Sequence, residues 1–105
     1  MAMTKDDMAM IAMEIVAYAG DARTKFLDAM DAIGARDFAK AESLIKEGDE
    51  LILNAHNQQT ALITKEAAGE SIEIGFLTVH AQDHLMTAML LSDMDKRFLR
   101  MFKEK

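Results

Sequence analysis

The fold is decided by residues 8–33, which read MAMIAMEIVAYAGDARTKFLDAMDAI. Apolar side chains recur in this stretch every three or four residues, which is the spacing of one face of an α-helix. Thr4 can cap such a helix, and the acidic Asp7 lies three residues later, near the positive helix end. We therefore predict a first helix that begins at Thr4 and stops at Gly34-Ala35-Arg36. The recurring positions are Met8, Ile11, Ile15, Ala19, Ala22, Phe26, Met30 and Ile33.

Two more helical stretches follow in the sequence. Asp37 can cap the second helix, whose apolar spacing lapses only around Gly48-Asp49. The polar segment Thr64–Ser71 carries Gly69 and is the best candidate for a loop, so a third helix is expected after it. The apolar positions of the second helix are Phe38, Ala41, Ile45, Ile52, Ala55, Leu62 and Ile63. Those of the third are Ile72, Phe76, Val79, Met86, Leu90, Met94, Phe98 and Met101, with Asp83 among them.

These stretches predict an all-α fold, an antiparallel three-helix bundle, in a single domain spanning residues 1–105. The 105 residues include no proline that would break a helix and only five glycines to mark turns. The first connection is expected to be short and the second longer. The ten methionines lie mainly along wide apolar stripes, so self-association is expected to cover what one chain leaves exposed.

Charge and composition exclude several classes of function. Twelve basic and eighteen acidic residues give a formal charge of −6, which disfavours nucleic acid and anionic membrane surfaces and favours a basic protein partner. The absence of cysteine excludes disulfides, thiolate metal sites and cysteine nucleophiles. The longest apolar stretch, Met8 to Ala19, contains Glu14 and is shorter than the roughly 20 residues of a membrane span. We therefore expect a cytoplasmic protein without membrane insertion.

The residues that carry chemistry lie in VHAQDHLMT, residues 79–87. On a helix, His80, Asp83 and His84 stand at positions i, i+3 and i+4, so one turn holds two imidazoles and a carboxylate. Asp83 also lies in the apolar stripe, where a lone charge is costly to bury. It needs a metal ion, another cation, water or a symmetry axis.

Three interpretations of these side chains are open from the residues alone. The two histidines can simply be half-buried polar residues with satisfied hydrogen bonds. They can form a zinc site with Asp83, and with His56 from the second helix, although the metalloprotease pattern with Glu after the first His is absent. A histidine can also act as a nucleophile, because a neutral imidazole offers a lone pair near pH 7. His56 itself lies in the polar stretch NAHNQQT, residues 54–60, which can equally be a solvated helix face.

The nine residues from Val79 to Thr87 resemble a motif of a known family, the lactose/cellobiose-specific IIA component of the bacterial phosphoenolpyruvate-dependent sugar phosphotransferase system. The resemblance covers nearly the whole chain. It is reinforced by Gly20-Asp21-Ala22-Arg23 in the first helix, by Ala55-His56 with Gln59-Thr60 in the second, and by Ala68-Gly69-Glu70 in the loop.

The resemblance implies a homotrimer of three-helix subunits with a phosphorylated histidine. His80, the first His of the motif, would accept a phosphoryl group from the histidine phosphocarrier protein and pass it to a IIB component. Asp83 of three subunits would share one Mg²⁺ ion per trimer at the axis. The sugar would contact a separate membrane component, so the imported disaccharide is not written in this chain.

Phosphoryl transfer requires in-line placement and neutralisation of the phosphoryl oxygens. Candidate donors to these oxygens are His84, Gln82, Gln59 and His56, although Gln82 points to another side of its helix. The rival hypothesis is a non-catalytic helical protein, for interaction or metal storage, in which His80, Asp83 and His84 only bind metal.

Overall fold

The computed structural model describes residues 3–104 and contains three long α-helices. They are α1 (Lys5–Gly34), α2 (Phe38–Ala67) and α3 (Phe76–Lys103). The bundle measures 54 × 21 × 17 Å, so it is about as long as one helix. The described residues form no β-strand, and the predicted all-α three-helix fold is confirmed. Met1, Ala2 and Lys105, the remaining residues of the predicted 1–105 domain, lie outside the described residues.

The predicted starts of α1 and α2 are confirmed. The backbone N–H of Asp7 donates to the Thr4 hydroxyl, and the N–H of Thr4 donates to the Asp7 carboxylate, each over 3.1 Å. These two bonds to Thr4 lower the pKa of Asp7. Asp37 caps α2 by accepting from the N–H of Lys40 over 3.2 Å. The turn between α1 and α2 places Arg36 in the left-handed region with φ 62°, so the chain reverses within three residues.

The predicted loop Thr64–Ser71 is displaced by about one helical turn. α2 continues to Ala67, supported by the Thr64 hydroxyl, which donates to the Thr60 carbonyl over 2.9 Å. The helix ends where Gly69 adopts φ 95°, a conformation that favours glycine. Polar residues at the end of α2 are therefore a solvated helix terminus. Ile72, which we expected in the third helix, lies instead in the loop before α3.

Gly48 explains the lapse in the apolar pattern of α2. The helix runs through this position without a break, and the ring of Phe26 from α1 occupies the space where a Cβ of residue 48 would lie. Phe26 is fully buried in the main core cluster. Glycine is thus required at position 48 by the close approach of an aromatic ring, while the helix itself remains regular.

The face of α3 that packs into the core differs from the predicted one. Ala81, Leu85 and Ala88 are buried in the main cluster, and Ser92 and Asp95 continue the same face. The Met-rich stripe lies on the other side of α3 and is largely exposed. α3 therefore has two apolar faces. Ala81, Leu85 and Ala88 pack against the other two helices, whereas the Met-rich face points to solvent.

Asp95 is the one acidic residue that the described core buries completely. Its exposed fraction is 0%, and neither carboxylate oxygen has a hydrogen-bond partner within residues 3–104. Burial raises the pKa of Asp95 to about 6, because the charged form loses its hydration. One turn earlier, the Ser92 hydroxyl donates to Asp49 over 2.6 Å, and Asp49 also pairs with Lys96 over 2.9 Å.

Candidate functional site

His80 and His84 form a pair on the second and third turns of α3. Their Nε2 atoms lie 3.1 Å apart, and their rings meet edge to face at 83° with centroids 4.5 Å apart. His80 is exposed and His84 is half-buried. The helix places them together because residues four apart share a face. The predicted adjacency of these two histidines is confirmed.

The contact between the two rings restricts their protonation. A hydrogen bond between two Nε2 atoms needs one N–H donor and one lone pair. In the arrangement that leaves His80 nucleophilic, His84 donates through Nε2–H and His80 accepts through its Nε2 lone pair. His80 then carries its own proton on Nδ1. In that arrangement the exposed His80 imidazole has its Nε2 lone pair directed at the N–H of His84.

Asp83 lies outside this pair, in a row of large apolar side chains that face solvent. Phe76 is 90% exposed, Leu90 58% and Met86 54%. These residues with Val79, Asp83, Met94 and Met101 form what we call the outer row of α3. Asp83 itself is exposed. In a single chain this carboxylate is therefore hydrated. The predicted cost of burying its charge arises only if another molecule covers the outer row.

Gln59 and Gln82 bind each other. The side-chain amide N–H of Gln59 donates to the side-chain Oε1 of Gln82, and this bond links α2 to α3. Both line a small cavity of about 150 Å³ that also includes Met8 and Ile72. At about 100° per helical residue, Gln82 lies about 160° around α3 from His80. Within one subunit these amides therefore do not reach the His80 ring.

His56 is also separated from His80. It lines a groove of about 300 Å³ between α2 and α3, together with Met89, Asp93 and Lys96. Met89 lies nine residues after His80 and hence about 180° around α3. The structure thus divides the predicted residues into the pair His80 and His84 on one side of the outer row, and His56, Gln59 and Gln82 on the other.

A metal ion fits this arrangement only in part. No group of three His, Cys, Asp or Glu side chains converges anywhere in residues 3–104. The zinc interpretation therefore lacks a complete ligand set within one subunit. Asp83 offers the hard oxygen ligand that Mg²⁺ prefers, but it offers only one residue, so a shared ion would need several copies of the chain.

Comparison with known sequences decides the family. Residues 10–103 match the family described as PTS system, lactose/cellobiose-specific IIA subunit. The chain belongs to this family. The IIA chain is 48% identical over 101 residues to the PTS system lactose-specific EIIA component of Staphylococcus aureus, covering 96% of this chain and 98% of that protein. It is thus a component of a sugar phosphotransferase system, as the motif predicted.

Solved structures agree with this assignment. The IIA chain is similar to the crystal structure of PtcA from S. mutans, with a TM-score of 0.94, 36% identity, and coverage of 96% of this chain and 99% of that one. It is also similar to the PTS cellobiose-specific enzyme IIA from Bacillus anthracis, with a TM-score of 0.87, 33% identity, and coverage of 97% and 92%. Within residues 3–104, none of the three helices is long and apolar enough to span a membrane.

Sequence reasoning missed two residues of interest. Glu73 in the loop before α3 accepts a hydrogen bond from the start of α1, a contact that no local pattern announces. The residue type of Asp95 does not indicate burial, because an Asp in a helix is ordinarily solvated. Its place in the sequence does carry a signal. It lies seven residues after Ala88, two helical turns on, and so on the buried face of α3.

Proposed function

We propose that this IIA chain is a cytoplasmic phosphoryl carrier for disaccharide uptake. It accepts a phosphoryl group on His80 from the histidine phosphocarrier protein and donates it to a IIB component. The observation that carries the proposal is the exposed His80 imidazole, with its Nε2 atom 3.1 Å from Nε2 of His84. A carrier must present its nucleophile to two protein partners in turn, so the acceptor has to lie on the surface.

The transfer uses Nε2 of His80 as the nucleophile. Its lone pair forms a bond to phosphorus while the bond between phosphorus and the donor atom breaks, so the electron pair leaves with the donor. His84 loses its hydrogen bond to the His80 lone pair and donates the same Nε2–H to a phosphoryl oxygen. Charge-assisted bonds of this kind are worth about 1.5–3 kcal/mol. Transfer to the IIB component repeats the displacement in the opposite sense.

The chain works as a homotrimer built on the outer row of α3. A row of large apolar side chains at 41–90% exposure is unusual on a surface that stays free, and three rows packed about one axis would bury them. Asp83 lies within this row, so three copies would bring three carboxylates to the axis. They would hold one Mg²⁺ ion per trimer, which supplies positive charge against their mutual repulsion.

Assembly would also complete the phosphorylation site. Around α3 from His80, the outer row begins about 40° away at Phe76 and Met94 and ends about 120° away at Met86, before Gln82 at about 160°. When three rows meet at an axis, the His80 side of one copy faces the opposite side of the next. In such an assembly His56, Gln59 and Gln82 would lie toward the neighbour's His80, and we propose that they assist transfer there.

Reconstitution of the relay tests the carrier function. The purified chain is incubated with phosphoenolpyruvate, the two general phosphotransferase proteins and a IIB component. The proposal predicts that label from phosphoenolpyruvate appears on this chain first and on IIB only when this chain is present. Label that reaches IIB equally well without this chain would contradict it.

A further inference from the structure

The start of the chain is fastened to the loop that precedes α3. Met3 and Ile72 form a parallel bridge, in which the N–H of Met3 donates to the Ser71 carbonyl over 3.0 Å and the N–H of Glu73 donates to the Met3 carbonyl over 3.4 Å. The N–H of Lys5 donates to Oε2 of Glu73 over 2.8 Å. We call residues 3–5 the N-terminal strap. These bonds join segments that are 68 residues apart in the chain.

Glu73 completes the cap of α1 from a distant part of the chain. The first amides of a helix have no partner within the helix, and the helix end carries a partial positive charge. Thr4 accepts from the N–H of Asp7, and Glu73 accepts from the N–H of Lys5. A carboxylate is well suited to this place, because its charge is favoured at a helix N-terminus.

The loop that carries Glu73 leads directly into the start of α3. Gly75 is the N-cap of α3 and makes no side-chain hydrogen bond, so the helix start has no cap of its own. The Gly75 carbonyl accepts from the N–H groups of Thr78 and Val79. A Cβ on Gly75 would lie 3.2 Å from Cε of Lys5, which shows how closely the loop packs on the strap. His80 follows Gly75 by little more than one turn.

We propose that Glu73 is a positioning residue for His80. By binding the first amide of α1, it holds the loop and the uncapped first turn of α3 in one place, so that the His80 ring keeps a fixed orientation toward a docked partner. This inference rests on the proposed carrier function of His80. It adds that the N-terminal strap and the loop before α3 act together as part of the transfer apparatus.

Kinetics of the Glu73 variants test this role. Phosphorylated histidine phosphocarrier protein is the donor, and the transfer rate is measured against donor concentration for wild type, Glu73→Ala and Glu73→Gln. We expect Glu73→Ala to lower the maximal rate about 2- to 10-fold, the scale of one lost hydrogen bond, with little change in the half-saturating concentration. Glu73→Gln keeps an acceptor oxygen and should recover most of the rate. Asp28→Ala removes an exposed carboxylate near the other end of α1 and should behave as wild type.

Hydrogen exchange separates positioning from general stability and does not depend on phosphorylation. In Glu73→Ala, exchange should quicken at the amides of residues 76–80 and stay unchanged in the rest of α3. The proposal would be overturned if Glu73→Ala had the same maximal rate as Asp28→Ala. It would also be overturned if amide exchange in Glu73→Ala were unchanged, or were faster throughout the protein. If wild type accepts no phosphoryl group, the carrier function fails. Faster exchange confined to residues 76–80 would then still support the anchoring of α3 by Glu73, and unchanged exchange would refute it.

Discussion

His80 and His84 share one hydrogen bond across a single turn of α3, with 3.1 Å between their Nε2 atoms. One of the two rings must donate and the other must accept. The pair therefore has unequal roles although the residues are identical. His80 is exposed and accessible to a partner protein, and we propose that half-buried His84 assists it.

Removal of the His84 ring should slow transfer without abolishing it. His84→Ala removes a donor to the phosphoryl oxygens, and we expect the rate to fall about 10- to 100-fold, which corresponds to about 1.5–3 kcal/mol. His84→Gln retains an N–H donor and should recover part of this loss. Rapid-mixing measurement of phosphorylation checks both variants. Equal rates for His84→Ala and wild type would rule out the supporting role.

The proposed role of Asp83 predicts an assembly that depends on a metal ion. Three carboxylates at one axis repel each other unless a cation lies among them, so chelation should lower the melting temperature of wild type and the fraction of trimer seen by light scattering. Added Mg²⁺ should reverse both effects. Asp83→Asn should form trimers that no longer respond to chelation, and Asp28→Asn should respond as wild type does. A wild type that is monomeric at micromolar concentration would contradict the trimer. An assembly that ignores chelation would contradict the shared ion.

Two glycines offer a matched test of the core. Gly48→Ala places a Cβ where the Phe26 ring lies, so the ring must move, and we expect the free energy of unfolding to fall by about 1–3 kcal/mol. Gly20→Ala meets no atom within 4 Å and should gain about 0.5–1 kcal/mol from higher helix propensity. Chemical denaturation measures both changes. If the two substitutions changed the free energy of unfolding equally, the Phe26 ring would not need the space beside Gly48.

Buried Asp95 predicts a distinctive dependence of stability on pH. Its pKa is about 6 in the folded chain against a reference of 3.8, so the folded state binds the proton more tightly than the unfolded state. This contribution therefore destabilises the fold above pH 6, and the loss is recovered as pH falls from 6 toward 3.8. This difference between the folded and reference pKa values corresponds to about 3 kcal/mol at neutral pH.

Comparison of wild type with Asp95→Asn isolates this contribution from those of the other carboxylates. The amide has a similar shape and no charge, so the variant should be more stable than wild type at pH 8, by up to the same amount. The gap should narrow through pH 6 and level off near pH 4. Denaturant unfolding at a series of pH values checks this. A gap that does not vary with pH would show that Asp95 is not buried as a charged group.

The sequence predicted α1 and its core face well, because large apolar residues and Phe26 mark that face clearly. It misjudged α3 for a physical reason. Met86, Leu90 and Met94 dominate any count of hydrophobicity, yet the face that packs on α1 and α2 is built mainly from Ala81, Leu85 and Ala88. Small side chains let helices approach closely and carry little signal in the pattern. The large side chains of the outer row point to solvent instead.

Only part of the candidate site could be predicted from the sequence. A spacing of four residues on a helix fixes the contact between His80 and His84, so that pair was predictable from local geometry. The separation of Gln82 from His80 also follows from spacing within α3, whereas the position of His56 relative to His80 depends on how α2 packs against α3. The contact of Glu73 with Lys5 joins residues from distant parts of the chain and has no local signal at all.

The central claim is that His80 carries the phosphoryl group, and mass spectrometry of the phosphorylated chain tests it most directly. Wild type, His80→Ala, His84→Ala and His56→Ala are each incubated with phosphoenolpyruvate and the general phosphotransferase proteins. Circular dichroism confirms that each variant is folded. The account predicts that wild type gains one acid-labile phosphoryl group per chain, located at His80. The His84→Ala and His56→Ala variants should gain the same group at the same residue, but more slowly. It predicts no gain in His80→Ala, and an acid-labile phosphoryl group on folded His80→Ala would contradict the account.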